Sequence, residues 1–391
     1  MLERDISSDG WDRRNFLKAG AGAICTLCLT SILGCGYTTS SEGISSLQTA
    51  QKGFIQPRPS PWYSKLDSTR VRCELCPKRC ELEDGERATC RVRTNQGGAI
   101  YTLAYNNPTF ILEDPVECKP FFHVMPGTRA LSVATAGCNL QCKFCEAWDM
   151  TQVTPEEVHA YDMPPEVVVT HAVKPDVHSI SYTFGEPVVF YEYIAAIATL
   201  SKEAGLLNLM HTAGYIRPEP LKELIERLDA VNVDLKSFDP TFYRNVVGGE
   251  LDPVLRTLTI LREANIHIEI TNIVIPTLND SMEKIHQMCK WIINELGENV
   301  PVHFVRFYPL YKLSNLPRTP VSTLDKARDT ALSAGLRYVY ISRVTGHKGE
   351  NTYCPGCGKT VIKRVGFVVE EINLKNGRCP YCSTYISGIW N

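Results

Sequence analysis

Gly137-Cys138-Asn139-Leu140-Gln141-Cys142-Lys143-Phe144-Cys145 sets three cysteines at spacings of three and two intervening residues, directly after the apolar run Leu131-Ser132-Val133-Ala134. Three thiolates on one short loop can take three corners of an iron–sulfur cubane. Such clusters ordinarily have four cysteine ligands, so a loop that offers three, with no fourth nearby, leaves one iron open to a non-protein ligand. The competing reading, a structural metal knot or a set of buried thiols, fits less well because a structural zinc site takes four protein ligands.

Outward from this loop, short β-rich runs alternate with helical patterns from Ala130 to Ser342. Strands are expected at 131–135, 179–183, 207–212, 230–236, 266–275, 302–307 and 338–341. Helices are expected at 165–173, 190–204, 218–228, 254–264 and 282–296. Strand and helix in alternation predict a parallel sheet covered by helices, an α/β fold whose natural closure is a partial or complete barrel. Barrel active sites gather at the C-terminal ends of the strands, where the three-cysteine loop falls.

The chain has 391 residues and 16 cysteines, eleven of them in three tight groups, a distribution that favours metal sites over disulfides. Its net charge of -2 supplies no basic field for nucleic acid. The second group is Cys73-Glu74-Leu75-Cys76-Pro77-Lys78-Arg79-Cys80 followed by Cys90, enough sulfur to close a second metal site. The spacing suits zinc or an iron–sulfur cluster alike. The third group, Cys354, Cys357, Cys379 and Cys382, forms two matched knuckles that aim four sulfurs at one ion, zinc or iron, with zinc the better match. A strand is expected between the knuckles at 365–371. Cys118 and Cys289 stand outside the groups, and Cys289, in a helical pattern, reads as a small buried hydrophobe.

At the N-terminus, Arg13-Arg14-Asn15-Phe16-Leu17-Lys18 precedes an apolar run over 19–33, too short to span a bilayer and placed like an export signal. The paired arginines resemble a twin-arginine signal, and Ile32-Leu33-Gly34-Cys35 resembles a lipoprotein box with Cys35 as the lipidated residue. Export and membrane anchoring follow from these as expectations, with a cytoplasmic location as the alternative. Residues 36–65, rich in Ser, Thr, Gly and Pro, read as a linker. The expected organisation is therefore signal 1–35, linker 36–65, a four-cysteine subdomain 66–125, the α/β core 126–345 and a zinc-ribbon-like segment 346–391.

From about Val71 to Trp390 the chain resembles the radical S-adenosylmethionine (SAM) enzymes of the AmmeMemoRadiSam set, relatives of the pyruvate formate-lyase activating enzymes. Beside the loop at Gly137, the likeness rests on Tyr182-Thr183-Phe184-Gly185-Glu186-Pro187, Thr212-Ala213-Gly214-Tyr215 and Asn232-Val233-Asp234-Leu235-Lys236-Ser237. It continues through Ile275-Pro276-Thr277-Leu278-Asn279-Asp280 and Gly346-His347-Lys348-Gly349-Glu350-Asn351. The resemblance implies that Cys138, Cys142 and Cys145 hold a [4Fe–4S] cluster whose open iron binds SAM. It implies that Gly185, Glu186 and Pro187 receive the amino group of SAM. Asp234 and Lys236, two residues apart on a strand, share one face and would hold its ribose hydroxyls or carboxylate; the alternative is a buried ion pair lining the barrel. His303, Arg306 and Tyr308 alternate along a later strand and are weaker candidates for facing substrate. The implied partners are an electron donor and an unknown substrate, with protein as the class that the activating enzymes suggest. A non-enzymatic iron–sulfur lipoprotein is the competing function.

Overall fold

The computed structural model describes residues 49–390. The expected signal and the lipidated Cys35 lie outside the described residues. Eight strands form the central sheet: β1 (Phe110–Pro115), β2 (Arg129–Ala134), β3 (Val177–Tyr182), β4 (Leu207–Thr212), β5 (Ala230–Asp234), β6 (His267–Val274), β7 (Val302–Arg306) and β8 (Val339–Ser342). From β2 to β8 the pairing is parallel throughout. Between these strands lie α1 (Pro165–Ala172), α2 (Tyr191–Glu203), α3 (Pro218–Ile225), α4 (Leu251–Glu263), α5 (Met282–Glu295) and α6 (Val321–Ala334). Spatial order follows chain order, with β1 and β8 at the two edges, so the barrel is partial and stays open.

The local sequences explain these elements. Strands covered on both faces read as nearly continuous apolar runs, and in β5 Ala230, Val231, Asn232 and Val233 are all buried. Along α4 the buried residues Val254, Thr257, Leu258 and Leu261 recur at helical spacing, one apolar stripe against the sheet. Each such Leu contributes about 1.5–3 kcal/mol, so Leu258→Ala alone would cost about 2–5 kcal/mol. The Ser281 hydroxyl caps α5 by accepting from Lys284 N at 3.5 Å. Cys289 on α5 is fully buried, as its place in the apolar stripe predicts.

Three expected element and segment bounds need correction. The linker does not extend to residue 65, because the chain pairs from Gln51 onward: Gln51–Lys52 with His159–Ala160, Arg58–Pro59 with Tyr101 and Thr102, and Tyr63–Lys65 with Val71–Cys73. Proline suits both linkers and edge strands, and the first two of these pairings join segments distant in sequence. The core begins before residue 126, since β1 joins the sheet as an antiparallel edge against β2. The single strand expected at 365–371 is a hairpin, β10 (Thr360–Val365) and β11 (Val368–Ile372), turning at Gly366, with β9 (Thr352–Tyr353) beside it.

His303 does not face the open end of the barrel. It lies at the N-terminal end of β7, fully buried, with Nε2 2.6 Å from Glu269 Oε2 and its ring stacked on Tyr340. Glu269 also accepts from Phe122 N at 3.1 Å and His123 N at 2.8 Å, so this carboxylate ties the 119–124 loop to the barrel floor. His123 then joins the ribbon: its Nδ1 meets Ser387 O at 2.5 Å and its Nε2 meets the Tyr340 hydroxyl at 2.6 Å. Tyr338 and Tyr340 of the barrel pack with Val361 and Ile386 of the C-terminal segment in one cluster.

Candidate active site

The three-cysteine loop leaves the C-terminal end of β2 and is held by backbone bonds on both sides. Gln141 N donates to Val247 O at 3.0 Å and Lys143 N to Val246 O at 2.9 Å, pairing the loop with a π-helical turn over Tyr243–Val247. Such turns are uncommon and concentrate at functional sites. Gly137 N donates to Met150 O at 3.1 Å, and Gln152 Nε2 to Leu140 O at 3.1 Å. Gly137 has φ +92, and a Cβ there would lie 2.6 Å from both Cys90 O and Val92 Cγ1. Only glycine lets the loop approach the first four-cysteine region this closely.

The sulfurs of the loop sit among donors. Leu140 N points at Cys138 Sγ across 3.3 Å, and Thr151 Oγ1 lies 3.2 Å from Cys145 Sγ. Burial pushes the thiols of Cys138 and Cys142 up, the latter to about 12, with the Lys236 ammonium opposing the shift at Cys142. Without a metal these thiols stay protonated; metal ligation removes the proton outright.

Neighbouring strand ends supply the remaining side chains. Asp234 and Lys236 meet in a 2.8 Å ion pair, and the second Asp234 oxygen lies 2.8 Å from His211 Nε2 on β4. Burial pushes the Asp234 carboxyl up, but the Lys236 ammonium and the His211 ring hold it well below the usual range. The Lys236 ammonium lies 5.7 Å from the centre of the Phe144 ring, directly under the cysteine loop. The buried ion pair weighed from sequence is therefore present, and it stands at the mouth.

Glu186 follows β3 and is turned inward. Its carboxylate accepts from Thr212 Oγ1 at 2.6 Å, Ala213 N at 2.9 Å and Val188 N at 3.1 Å. Its side chain thus binds β4 to the β3 loop, and what the Gly185-Glu186-Pro187 segment leaves for a ligand is backbone. Gly185 is closely fitted there, since a Cβ would lie 3.2 Å from Thr135 O. Arg306 donates to Thr319 O at 2.9 Å, and Tyr308 lies under the Arg318 guanidinium.

Further side chains hold the rim of the site together. Asn139 donates to Tyr215 O at 2.8 Å, Asn279 donates to Lys236 O at 2.7 Å, and Asn279 Oδ1 accepts from Ile275 N at 2.6 Å. These amides tie loops from separate strands into one rim. Glu146, next to Cys145, pairs with Arg343 just beyond β8, joining the two sides of the open barrel.

Sulfur spacing separates the three cysteine groups. Among the described residues, the group of three or more candidate ligand atoms gathered within 4.8 Å of one another is Cys354, Cys357, Cys379 and Cys382. There Cys354 and Cys382 sulfurs are 3.5 Å apart and those of Cys357 and Cys379 3.7 Å. A single tetrahedral ion bound at about 2.3 Å sets sulfurs about 3.8 Å apart, so these four fit one metal ion. The loop sulfurs of Cys138, Cys142 and Cys145 are not gathered within that distance.

Residues 132–290 match the family model for the radical SAM superfamily. The chain is 41% identical over 331 residues to an uncharacterized protein of Methanocaldococcus jannaschii, covering 84% of this chain and 98% of that one. The chain belongs to the radical SAM superfamily. To the pyruvate formate-lyase-activating enzyme of Clostridium pasteurianum it is 25% identical over 54% of its own length and 91% of the other's. A solved radical SAM methyltransferase from Sphaerobacter thermophilus aligns over 76% of this chain and 80% of that one, at 14% identity and a TM-score of 0.43.

A radical SAM protein with activating-enzyme relatives is an enzyme, and the family implies a [4Fe–4S] cluster and SAM. The residues present fit that group. Three sulfurs on one loop, that of Cys142 buried and those of Cys138 and Cys145 half-buried, with an N–H and a hydroxyl near them and a lysine beside the middle one, suit an anionic cluster. The competing electron-carrier or scaffold function finds no support in these relatives.

Proposed function

We propose that this enzyme cleaves SAM reductively and takes a hydrogen atom from a protein substrate, in the manner of an activating enzyme. The observation that carries the reading is the loop itself: Cys138, Cys142 and Cys145 stand together at the active end of the sheet, leaving one cluster position for SAM. When bound, the cluster and SAM supply one-electron cleavage to methionine and a 5′-deoxyadenosyl radical. The protein's part is placement. Backbone carbonyls around Gly185, Glu186 and Pro187 would receive the SAM ammonium, while the Glu186 carboxylate fixes that segment to β4. Asp234, already oriented by His211 and Lys236, would accept from a ribose hydroxyl. The electron comes from an external donor.

For a protein substrate the support is the rim. Trp148 is 42% exposed and stacks on Tyr311 with ring centres 5.3 Å apart, and Phe184 is exposed beside the SAM segment. Aromatic faces of this kind suit a polypeptide. At the C-terminal ribbon we propose a structural zinc ion that fills all four sulfurs of Cys354, Cys357, Cys379 and Cys382. We further propose export through the twin-arginine signal and membrane anchoring at lipidated Cys35; Arg13→Lys with Arg14→Lys should then leave unprocessed protein in the cytoplasm, and unchanged fractionation counts against it.

The test of the activity is electron paramagnetic resonance of the reduced, reconstituted enzyme. SAM should perturb the signal and 5′-deoxyadenosine should form, and Cys142→Ala should abolish both. A well-loaded enzyme whose signal ignores SAM rejects the reading.

A further inference from the structure

The first four-cysteine group does not resemble the ribbon. Cys73, Cys76, Cys80 and Cys90 line one small, partly open pocket, with a water-accessible interior of about 10 Å³, together with Arg93 and Asn139. Four sulfurs closed on one zinc ion leave no void between them, as the C-terminal group illustrates with all its ligand atoms inside 4.8 Å. The N-terminal four are not drawn together in this way. They share the wall of one small pocket.

A second observation concerns Arg93. It is 1% exposed, with Nη1 donating to Ser60 Oγ at 2.6 Å and Nη2 to Glu192 at 2.6 and 2.8 Å. Its Nε has no hydrogen-bond partner. An orphaned buried guanidinium N–H is costly unless something accepts from it. Apart from Arg93 itself and Asn139, the cavity wall offers sulfur, the Thr89 hydroxyl and aliphatic groups such as Leu75 and Val189. An anionic guest carrying its own sulfur acceptors would satisfy the stranded donor.

We propose that Cys73, Cys76, Cys80 and Cys90 hold a second [4Fe–4S] cluster, with Arg93 Nε donating to a sulfur of that cluster or of its ligands. Four cysteines complete its coordination, so it binds no SAM. It stands against the catalytic loop, because Asn139 of that loop lines its cavity and Gly137 packs on the Cys90 carbonyl. The claim concerns iron at this site and does not need the SAM chemistry to be right.

The experiment uses the full chain with Cys138→Ala, Cys142→Ala and Cys145→Ala, reconstituted anaerobically with iron and sulfide. About four irons and four acid-labile sulfides per chain are expected, with a reduced-state paramagnetic signal that SAM leaves unchanged. A chain that binds zinc at this site and retains no sulfide overturns the proposal. Should that variant fold poorly, wild-type enzyme decides: about eight irons and eight sulfides are expected, against about four irons with two zinc ions if the site is mononuclear. Arg93→Lys keeps the charge but loses the Nε donor, and should shift the reduction potential of the SAM-insensitive signal; no shift removes Arg93 from the site. If the triple variant holds iron while SAM fails to perturb wild-type enzyme, the SAM reading falls and this site stands. If wild type responds to SAM and the triple variant holds none, the reverse is true.

Discussion

Gly137→Ala probes the contact on which the active end is assembled. The added Cβ would meet Cys90 O and Val92 Cγ1 at 2.6 Å each, in a backbone conformation with φ +92. The left-handed backbone costs an L-residue about 1–2 kcal/mol, and the overpacking adds about 1–3 kcal/mol. The sum is roughly 2–5 kcal/mol. Gly205→Ala separates the two parts, because Gly205 has φ +74 and no atom within 4 Å of its would-be Cβ. That variant should lose only the backbone part. The assay is urea unfolding under anaerobic conditions at matched metal loading, read by fluorescence and compared through midpoints at a shared slope. Gly137→Ala should unfold at clearly lower urea than Gly205→Ala and should retain less iron. Equal midpoints would refute the argument that the Cys90 region and the catalytic loop are locked together through this glycine.

Lys236→Met strips the Asp234 carboxylate of its ammonium partner. Losing one member of a buried pair costs about 3–5 kcal/mol, and since the Asp234 side chain is 20% exposed a smaller loss of about 2–3 kcal/mol is expected. Asp234→Asn in the same chain should recover part of it, and a strictly additive cycle counts against a direct pair. Cys357→Ser should release zinc and open the last ~40 residues to protease while the SAM-sensitive signal survives; loss of that signal would show that the ribbon and the active site are not independent. Burial pushes His123 down to about 3, which suits a neutral ring that donates to Ser387 O and accepts from Tyr340. The unfolded chain takes up this proton near pH 6.5, so the stabilisation is present above that pH and is lost as pH falls toward 3, by at most about 1.4 kcal/mol per unit. A His123→Gln variant whose stability keeps the same acid slope as wild type would remove His123 as its source.

Seven parallel strands and five of the six principal helices were legible in the chain, because a strand buried on both faces and a helix buried on one leave periodic apolar residues that need no knowledge of their partners. The loop at Gly137 was legible for a similar reason, since three ligands for one cluster sit within a few residues. β1 and the pairing of 51–65 were not, because edge strands with Pro, Ser and charge look locally like linker, and the partners of Gln51–Lys52 and Arg58–Pro59 are distant in sequence; the turn at Gly366 was not, because it interrupts one nearly continuous β-rich run. Helix α6 was missed, since Val321–Ala334 is short of large apolar residues and buries Ala327, Ala331 and Ala334 beside Leu324. Asp234 and Lys236 could be placed on one face from their spacing, but their pairing with each other and with His211 depends on β4 and β5 lying side by side. The direction of the Glu186 carboxylate depends in the same way on Thr212 and Ala213. Sequence spacing gave the first and third cysteine groups the same four thiols. Only the fold showed that one closes on an ion-sized point and the other shares the wall of a small pocket with Arg93 and Asn139, because where the sulfurs end up depends on how their segments pack and not on the number of residues between cysteines.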